Sequence, residues 1–183
     1  MNKTLLFSVF IFTALGASAQ RLIAKDAFIR FYSSTPMEDI EATTNTAVSV
    51  LDRTSGEVAF QVSIKNFTFD RALMQEHFNE NYLESEKYPK ASFQGKLVNP
   101  SAVKWGKDGV YSAHLKGKMN IHGVEREITT PVTFTLKSGQ ILLESTFYVQ
   151  CVDYNIEVPT LVVAKIAEKI QVSVKTKYVP ASK

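Results

Sequence analysis

Apolar and polar residues alternate along most of the chain with a period of two. Between positions 57 and 65, Val58, Phe60, Val62 and Ile64 fall on one side, while Glu57, Gln61, Ser63 and Lys65 fall on the other. Between 111 and 121, Tyr111, Ala113, Leu115, Gly117, Met119 and Ile121 oppose Ser112, His114, Lys116, Lys118 and Asn120. The rhythm continues through Ile128, Thr130, Val132, Phe134 and Leu136, then through Ile141, Leu143, Phe147 and Val149. It returns in Ile170, Val172, Val174 and Tyr178. Successive side chains of a strand point to opposite faces, so each segment predicts a strand with one dry and one wet face. Adding 27–33, a segment near 40–51 and 91–98 gives about eight strands. Turn signals separate them, among them Thr54-Ser55-Gly56, Asn99-Pro100, His122-Gly123 and Ser138-Gly139. Short connections make neighbours antiparallel, and strands with one apolar face must stack as two sheets or close into a barrel.

Two stretches break the pattern. Met74, Phe78 and Tyr82 recur every fourth residue with Leu73 beside them, predicting an amphipathic helix over 71–83. Asp70 is its expected N-cap, and Tyr88-Pro89 forces an extended exit. The second stretch, 155–169, lies between the last two strands and is unusually apolar for a loop, above all near 158–167.

The first residues change the picture of where the protein works. Lys3 precedes an apolar run over 5–15, and Ala17-Ser18-Ala19 offers the small-x-small pattern of a signal-peptide cleavage site. The run is too short for a helical span, which needs roughly 20 residues. The expectation is a signal peptide over 1–19, cleaved after Ala19, and one domain over 20–183 in the periplasm or outside the cell. The formal charge is +3 over 183 residues, one unit of it from Lys3, which is too weak and scattered to argue for nucleic acid. The single cysteine, Cys151, excludes an intrachain disulfide.

Candidate chemistry is sparse. His77, His114 and His122 fall on the helix, a wet strand face and a turn, with no spacing suited to zinc. In Met119–Phe134 the turn His122-Gly123-Val124-Glu125 joins two strands, which leaves His122 as a surface turn residue and Glu125, Arg126 and Glu127 on the solvated rim. Cys151 has no histidine placed beside it by any motif and reads as a small buried thiol. No phosphate loop or nucleophile elbow occurs. Neither an enzyme nor a metal or other cofactor is expected.

Three stretches resemble the YceI-like family of exported bacterial proteins. HFNENYLESEKYPKASFQG (77–95) is similar to the family's helix, Tyr-Pro step and Phe-bearing strand. HLKGKMNIHGVEREITTPVTF (114–134) resembles its Gly-x-Leu-Thr-Ile-x-Gly-Val hairpin and Val-rich strand. STFYVQCVDYNIEVP (145–159) leads to the final Ile-x-Val-x-Val strand. The chain departs from the pattern at Met74-Gln75-Glu76-His77-Phe78, at Met119 and Asn120, and in lacking a Gly-x-Phe turn after the first strand. The strands before residue 57 are thus left without that landmark. The resemblance implies an all-β, antiparallel, lipocalin-like barrel whose interior holds a polyisoprenoid or quinone-like chain, with no catalytic residues.

An eight-stranded barrel is either filled by its side chains or just wide enough for one ligand. For the container, the expected lining is Phe60, Phe93, Tyr111, Leu115, Met119, Val132, Phe134 and Phe147. Met74, Phe78 and Tyr82 would close one end from the helix, and 158–167 would form a second lid. Gly95 and Thr130, small residues on dry faces, would leave room. The expected partner is a small apolar lipid, with transient membrane contact and, should an edge strand be exposed, a homodimer. Two other readings fit the same alternation. One is a secreted stress or interaction protein with a packed core; the other is an outer-membrane barrel with its apolar faces outward.

Overall fold

The structure, a computed structural model, describes residues 21–180; the expected signal segment lies outside the described residues. Strands β1 (Arg21–Ser34), β2 (Asp39–Asp52) and β3 (Glu57–Ser63) are followed by the two-residue β4 (Thr68–Phe69) and the helix α1 (Ala72–His77). Then come β5 (Lys90–Leu97), β6 (Gly109–Ile121), β7 (Val124–Lys137), β8 (Gln140–Val149) and β9 (Ile170–Pro180). Every pairing is antiparallel, and β1 bonds both β2 and β9, closing the ring β1-β2-β3-β5-β6-β7-β8-β9. The expected antiparallel barrel of eight strands is therefore the fold. The extra strand β4 covers Ala42 and Thr43 of β2, which outruns the shorter β3.

The dry faces point inward. Val58, Leu115, Val132, Phe134, Leu143 and Tyr178 are all buried, as their alternation required. Outside, charges face each other across neighbouring strands: Lys116 with Glu127 at 3.0 Å, Lys118 with Glu125 at 2.7 Å, Lys175 with Glu144 at 2.8 Å. These cross-strand pairs make a wet wall, the reverse of the apolar outer band of a membrane barrel. Val124 and Glu125 thus belong to the strand and not to the turn, while Glu127 lies on the solvated face as expected. The hairpin needs only His122 and Gly123, at φ +53° and +73°, which suit the two-residue turn that matches strand twist. Gly123 has a second reason to be glycine, because a Cβ there would sit 2.6 Å from the Tyr88 ring.

One end of the barrel is solid. Leu51, Val58, Phe134, Leu136 and Ile141 fill it, and the segment between β5 and β6 folds over the end so that Trp105 meets Phe134 edge-on at 5.2 Å. Tyr178 Oη and Ser49 Oγ bond across this interior at 2.7 Å, and Ser49 donates in turn to the Ala59 carbonyl at 2.9 Å. Burial pushes the Tyr178 phenol far up from its ordinary pKa, so it stays a neutral hydrogen-bonding group.

The helix forms where periodicity placed it, with two differences. Its cap residue is Arg71 and it has no side-chain cap bond, so Asp70 does not act as N-cap. Past His77 it widens into a π turn over Phe78–Tyr82, with the Leu83 N–H reaching back to the Phe78 carbonyl. Such turns occur often at functional sites.

Candidate functional site: an apolar cavity at the open end

The other end of the barrel is hollow. A cavity of about 500 Å³ runs from the mouth toward the middle, within the range of roughly 300–1,000 Å³ usual for small-molecule sites. Every barrel strand contributes to its wall, with α1 and the 158–167 loop across the opening. Of the residues expected to line it, Phe60, Phe93, Leu115, Met119 and Phe147 do so from the strands. Met74, Phe78 and Tyr82 do so from the helical segment. Tyr111, Val132 and Phe134 do not. In the β6–β7 register Leu115 stands opposite Thr130 at the cavity floor, and the next inward pairs, Ala113–Val132 and Tyr111–Phe134, lie within the packed end. Phe134 is fully buried, and the Tyr111 hydroxyl donates outward to the Lys107 carbonyl at 2.9 Å.

The two small residues behave differently. Thr130 does face the cavity, whereas the space at Gly95 belongs to the protein itself: a Cβ there would lie 2.4 Å from a ring carbon of Phe93. The ring of Phe93 covers Gly95, and the directly opposite Gly117 lets the backbones of β5 and β6 approach closely.

Several lining residues escaped the sequence reading. Phe31, Phe67 and Phe69 form a cluster with Phe78, ring centres 5.0 to 5.9 Å apart, which makes one wall of the mouth. Aromatic pairs at this spacing add to plain area burial. Phe67 and Phe69 flank Thr68 with period two, a signal present but too short to stand out. Phe31 is hidden by irregular register in β1 between Ala24 and Ile29, which shifts the phase so that Ile29, Phe31 and Ser33 face inward.

Side-chain bonds hold the mouth together. Glu38, in the β1–β2 turn, bonds Arg71 at the start of α1 and lies 3.9 Å from Lys165 in the 158–167 loop. The guanidinium of Arg71 holds the Glu38 carboxyl below its ordinary pKa. Ser33 Oγ accepts the Ala167 N–H at 2.8 Å, tying the same loop to β1.

A second tie closes a gap in the wall. β7 and β8 pair only from Thr133 with Glu144 to Lys137 with Gln140, so their mouthward halves are split. The split starts beside Pro131, which has no N–H for a ladder bond. The helical turn Cys151–Tyr154 fills the gap and is pinned to β7 by side chains. His122 Nδ1 is hydrogen-bonded with the Tyr154 carbonyl at 3.1 Å and Nε2 with the Glu84 carboxylate at 2.8 Å, while Arg126 Nε donates to the Asp153 carbonyl at 2.8 Å. His122 is therefore no bare surface turn residue: its side chain is 9% exposed and joins the helix exit, the hairpin and the gap-filling turn.

Cys151 lines the cavity, half-buried, and burial raises its thiol pKa, which keeps it protonated and weakly nucleophilic at neutral pH. Burial also raises the Tyr82 phenol, and the neighbouring Cys151 adds to that shift. His77 stands at the mouth and His114 on the outer wall. Among the described residues no His, Cys, Asp and Glu side chains gather in threes to hold a metal ion.

The fold has known counterparts. A polyisoprenoid-binding domain from Saccharophagus degradans, implicated in plant cell wall breakdown, superposes with a TM-score of 0.75 at 17% identity, covering 90% of this chain and 100% of that one. BcnA of Burkholderia cenocepacia gives a TM-score of 0.69 at 14% identity, covering 82% and 95%. The Campylobacter jejuni YceI protein gives 0.56 at 14% identity with both chains fully covered. At these identities the likeness is one of fold. No curated protein matches the sequence. The family model for the YceI-like domain matches residues 24–178, nearly the whole described barrel, and the chain therefore belongs to the YceI-like family.

Proposed function

We propose that this protein is an exported carrier that holds one long apolar molecule, of the polyisoprenoid or quinone-tail class, inside its barrel. The observation that carries the reading is the cavity of about 500 Å³, walled mainly by Phe, Ile, Val, Leu and Met side chains. Moving hydrocarbon from water into such a space gains about 0.8 kcal/mol per CH2, so a chain of several isoprene units is held without any precise polar contact. The polyisoprenoid-binding description of the Saccharophagus degradans domain supports the same ligand class. The apolar run before Ala17-Ser18-Ala19 supports export. Binding is the whole activity in this reading, and no reaction is assigned.

The reading of a packed core with no ligand accounts for the solid end of the barrel but not for the hollow one. Organic extraction of protein purified from a bacterial host, followed by mass spectrometry, is expected to release a long apolar compound. Recovery of no lipid, together with no binding of a long-chain quinone by the extracted protein, would overturn the proposal. Mass analysis of the exported chain tests cleavage after Ala19.

A further inference from the structure

We propose that the cavity floor is a hydrogen-bond-accepting subsite, which selects apolar ligands ending in a hydroxyl (an alcohol, phenol or hydroquinone) and seats them head inward. The inference rests on the apolar-carrier reading above and adds to it an orientation and a head-group chemistry.

Thr130 of β7 and Ser145 of β8 both line the cavity and are only 4% and 9% exposed. Their hydroxyl oxygens lie 3.0 Å apart, and Ser145 donates to the Pro131 carbonyl at 2.6 Å. With the Ser145 proton committed there, the Thr130 proton goes to Ser145 Oγ, or to the Pro131 carbonyl at 3.3 Å. The Thr130 oxygen then keeps its lone pairs, with no donor directed at it among the described residues. A hydroxyl so arranged can only accept from an incoming group.

The position is deep. Thr130 stands opposite Leu115, and Ser145 opposite Val174, where Leu115 and Leu143 bound the cavity. A third hydroxyl lies close by. Thr176 shares the inward face of β9 with Val174 and Tyr178, pairs with Leu143 and so sits one diagonal step from Ser145. Its Oγ1 is buried and finds no partner among the described residues. Buried hydroxyls are nearly always bonded, so spare capacity on Thr130 at the cavity floor, with the unpartnered Thr176 just behind the lining, needs a reason.

Repair of the sheet at Pro131 supplies only part of one. Ser145 supplies the short bond, 2.6 Å, to the carbonyl left open where the β7–β8 ladder stops. Thr130 adds at most a long contact of 3.3 Å to that atom, and valine would fill the same volume without burying a hydroxyl. The mouth offers the opposite arrangement, since Glu38 already holds Arg71 and Lys165, and Ser33 already accepts from Ala167. A ligand hydroxyl therefore gains a deep, uncommitted acceptor at the floor, whereas Glu38, Arg71 and Ser33 at the rim already hold partners. Thr130 and Ser145 line the cavity and Thr176 does not, so a head group that can only accept, such as an ether or an oxidised quinone, meets lone pairs there and desolvates them without a bond.

The test compares farnesol with farnesyl methyl ether, which share a C15 isoprenoid chain and differ by a methyl group in place of the donor proton, by displacement of a fluorescent apolar dye from extracted full-length protein. The native protein is expected to bind farnesol about tenfold more tightly, the scale of one net hydrogen bond. Thr130→Val, which preserves the Ser145–Pro131 bond and the side-chain volume, is expected to bring the two affinities within about twofold. Thr130→Ser is expected to restore the preference. Because the ratio is internal to each variant, a general loss of stability does not imitate the effect. Equal affinities in the native protein, or an unchanged ratio in Thr130→Val, overturn the floor subsite and leave the carrier standing. Failure to bind either compound overturns both.

Discussion

The two ends of this barrel are built from the same strands and end in opposite ways. On the β6–β7 hairpin the inward residues run Tyr111, Ala113, Leu115, Met119 and Ile121 on one strand, and Ile128, Thr130, Val132, Phe134 and Leu136 on the other. Nothing in their polarity marks where filling stops. It stops at the Leu115–Thr130 pair. On one side of that level Trp105, brought in by a loop, completes a solid core. On the other side α1 and the 158–167 loop cross the opening but leave it unfilled, and four phenylalanines line a wall instead of meeting at the centre. The difference teaches that strand alternation decides what faces inward, while the segments folded over each end decide whether the inside is full.

The contrast can be broken most forcefully at its solid end. Phe134→Ala removes a fully buried ring from its contact with Trp105 and is expected to cost about 3–5 kcal/mol in urea or thermal unfolding, with apolar-dye affinity of the folded fraction nearly unchanged. A cost under about 1 kcal/mol would show that this end is not tightly packed.

Adding volume sharpens the comparison. Val132→Phe, beneath the floor, is expected to destabilise by about 1–3 kcal/mol through overpacking. Val174→Phe, in the cavity wall, is expected to leave unfolding nearly unaltered while weakening apolar-ligand binding by roughly tenfold, the loss of one or two buried CH2 contacts. Equal stability losses at both sites would mean that the two ends do not differ in packing.

A smaller effect is expected at the split wall. His122→Ala deletes the bonds to Tyr154 and Glu84 and is expected to cost about 1–3 kcal/mol, with faster amide exchange over 151–156. Unchanged exchange there would show that Arg126 alone holds the gap-filling turn.

The smallest effect concerns acid. Glu38 has its pKa lowered in the folded protein by Arg71, so the latch at the mouth is present above the ordinary carboxyl range of about 4.3 and is lost as pH falls through the lowered value. Amide exchange at 162–167, corrected for its intrinsic pH dependence, is expected to quicken, relative to pH 5, once the pH falls below the lowered Glu38 value. Glu38→Gln is expected to produce the same loosening at neutral pH. A loop equally protected at both pH values and in the variant would remove Glu38 from the latch.

Much of this was legible in the chain. The alternation at 57–65, 111–121 and 128–136 gave strand, face and antiparallel order, because a half-buried strand must repeat every two residues. Met74, Phe78 and Tyr82 placed the helix on the cavity for a similar reason of period. The role of His122 was not legible, because its partners Glu84 and Tyr154 are 38 and 32 residues away and meet it only when the barrel closes. Asp70 looked like a cap by local rule, but nothing local revealed that Arg71 would be drawn to Glu38. Gly95 looked like empty space, since sequence does not say that the ring of Phe93 folds back over it.

By itself, the sequence determined about eight barrel strands, their antiparallel succession, the division of each into a dry and a wet side, and the place of the helix. These follow from the one-dimensional repeat of each element and from the need to shelter one face from water. Only the tertiary structure decided that the cylinder is solid as far as Thr130 and hollow beyond it, and that Phe31, Phe67 and Phe69 share the wall while Phe134 does not. Vacant volume is what remains after loops, lids and distant strands have taken their places, and a property of that remainder cannot be read from any single segment.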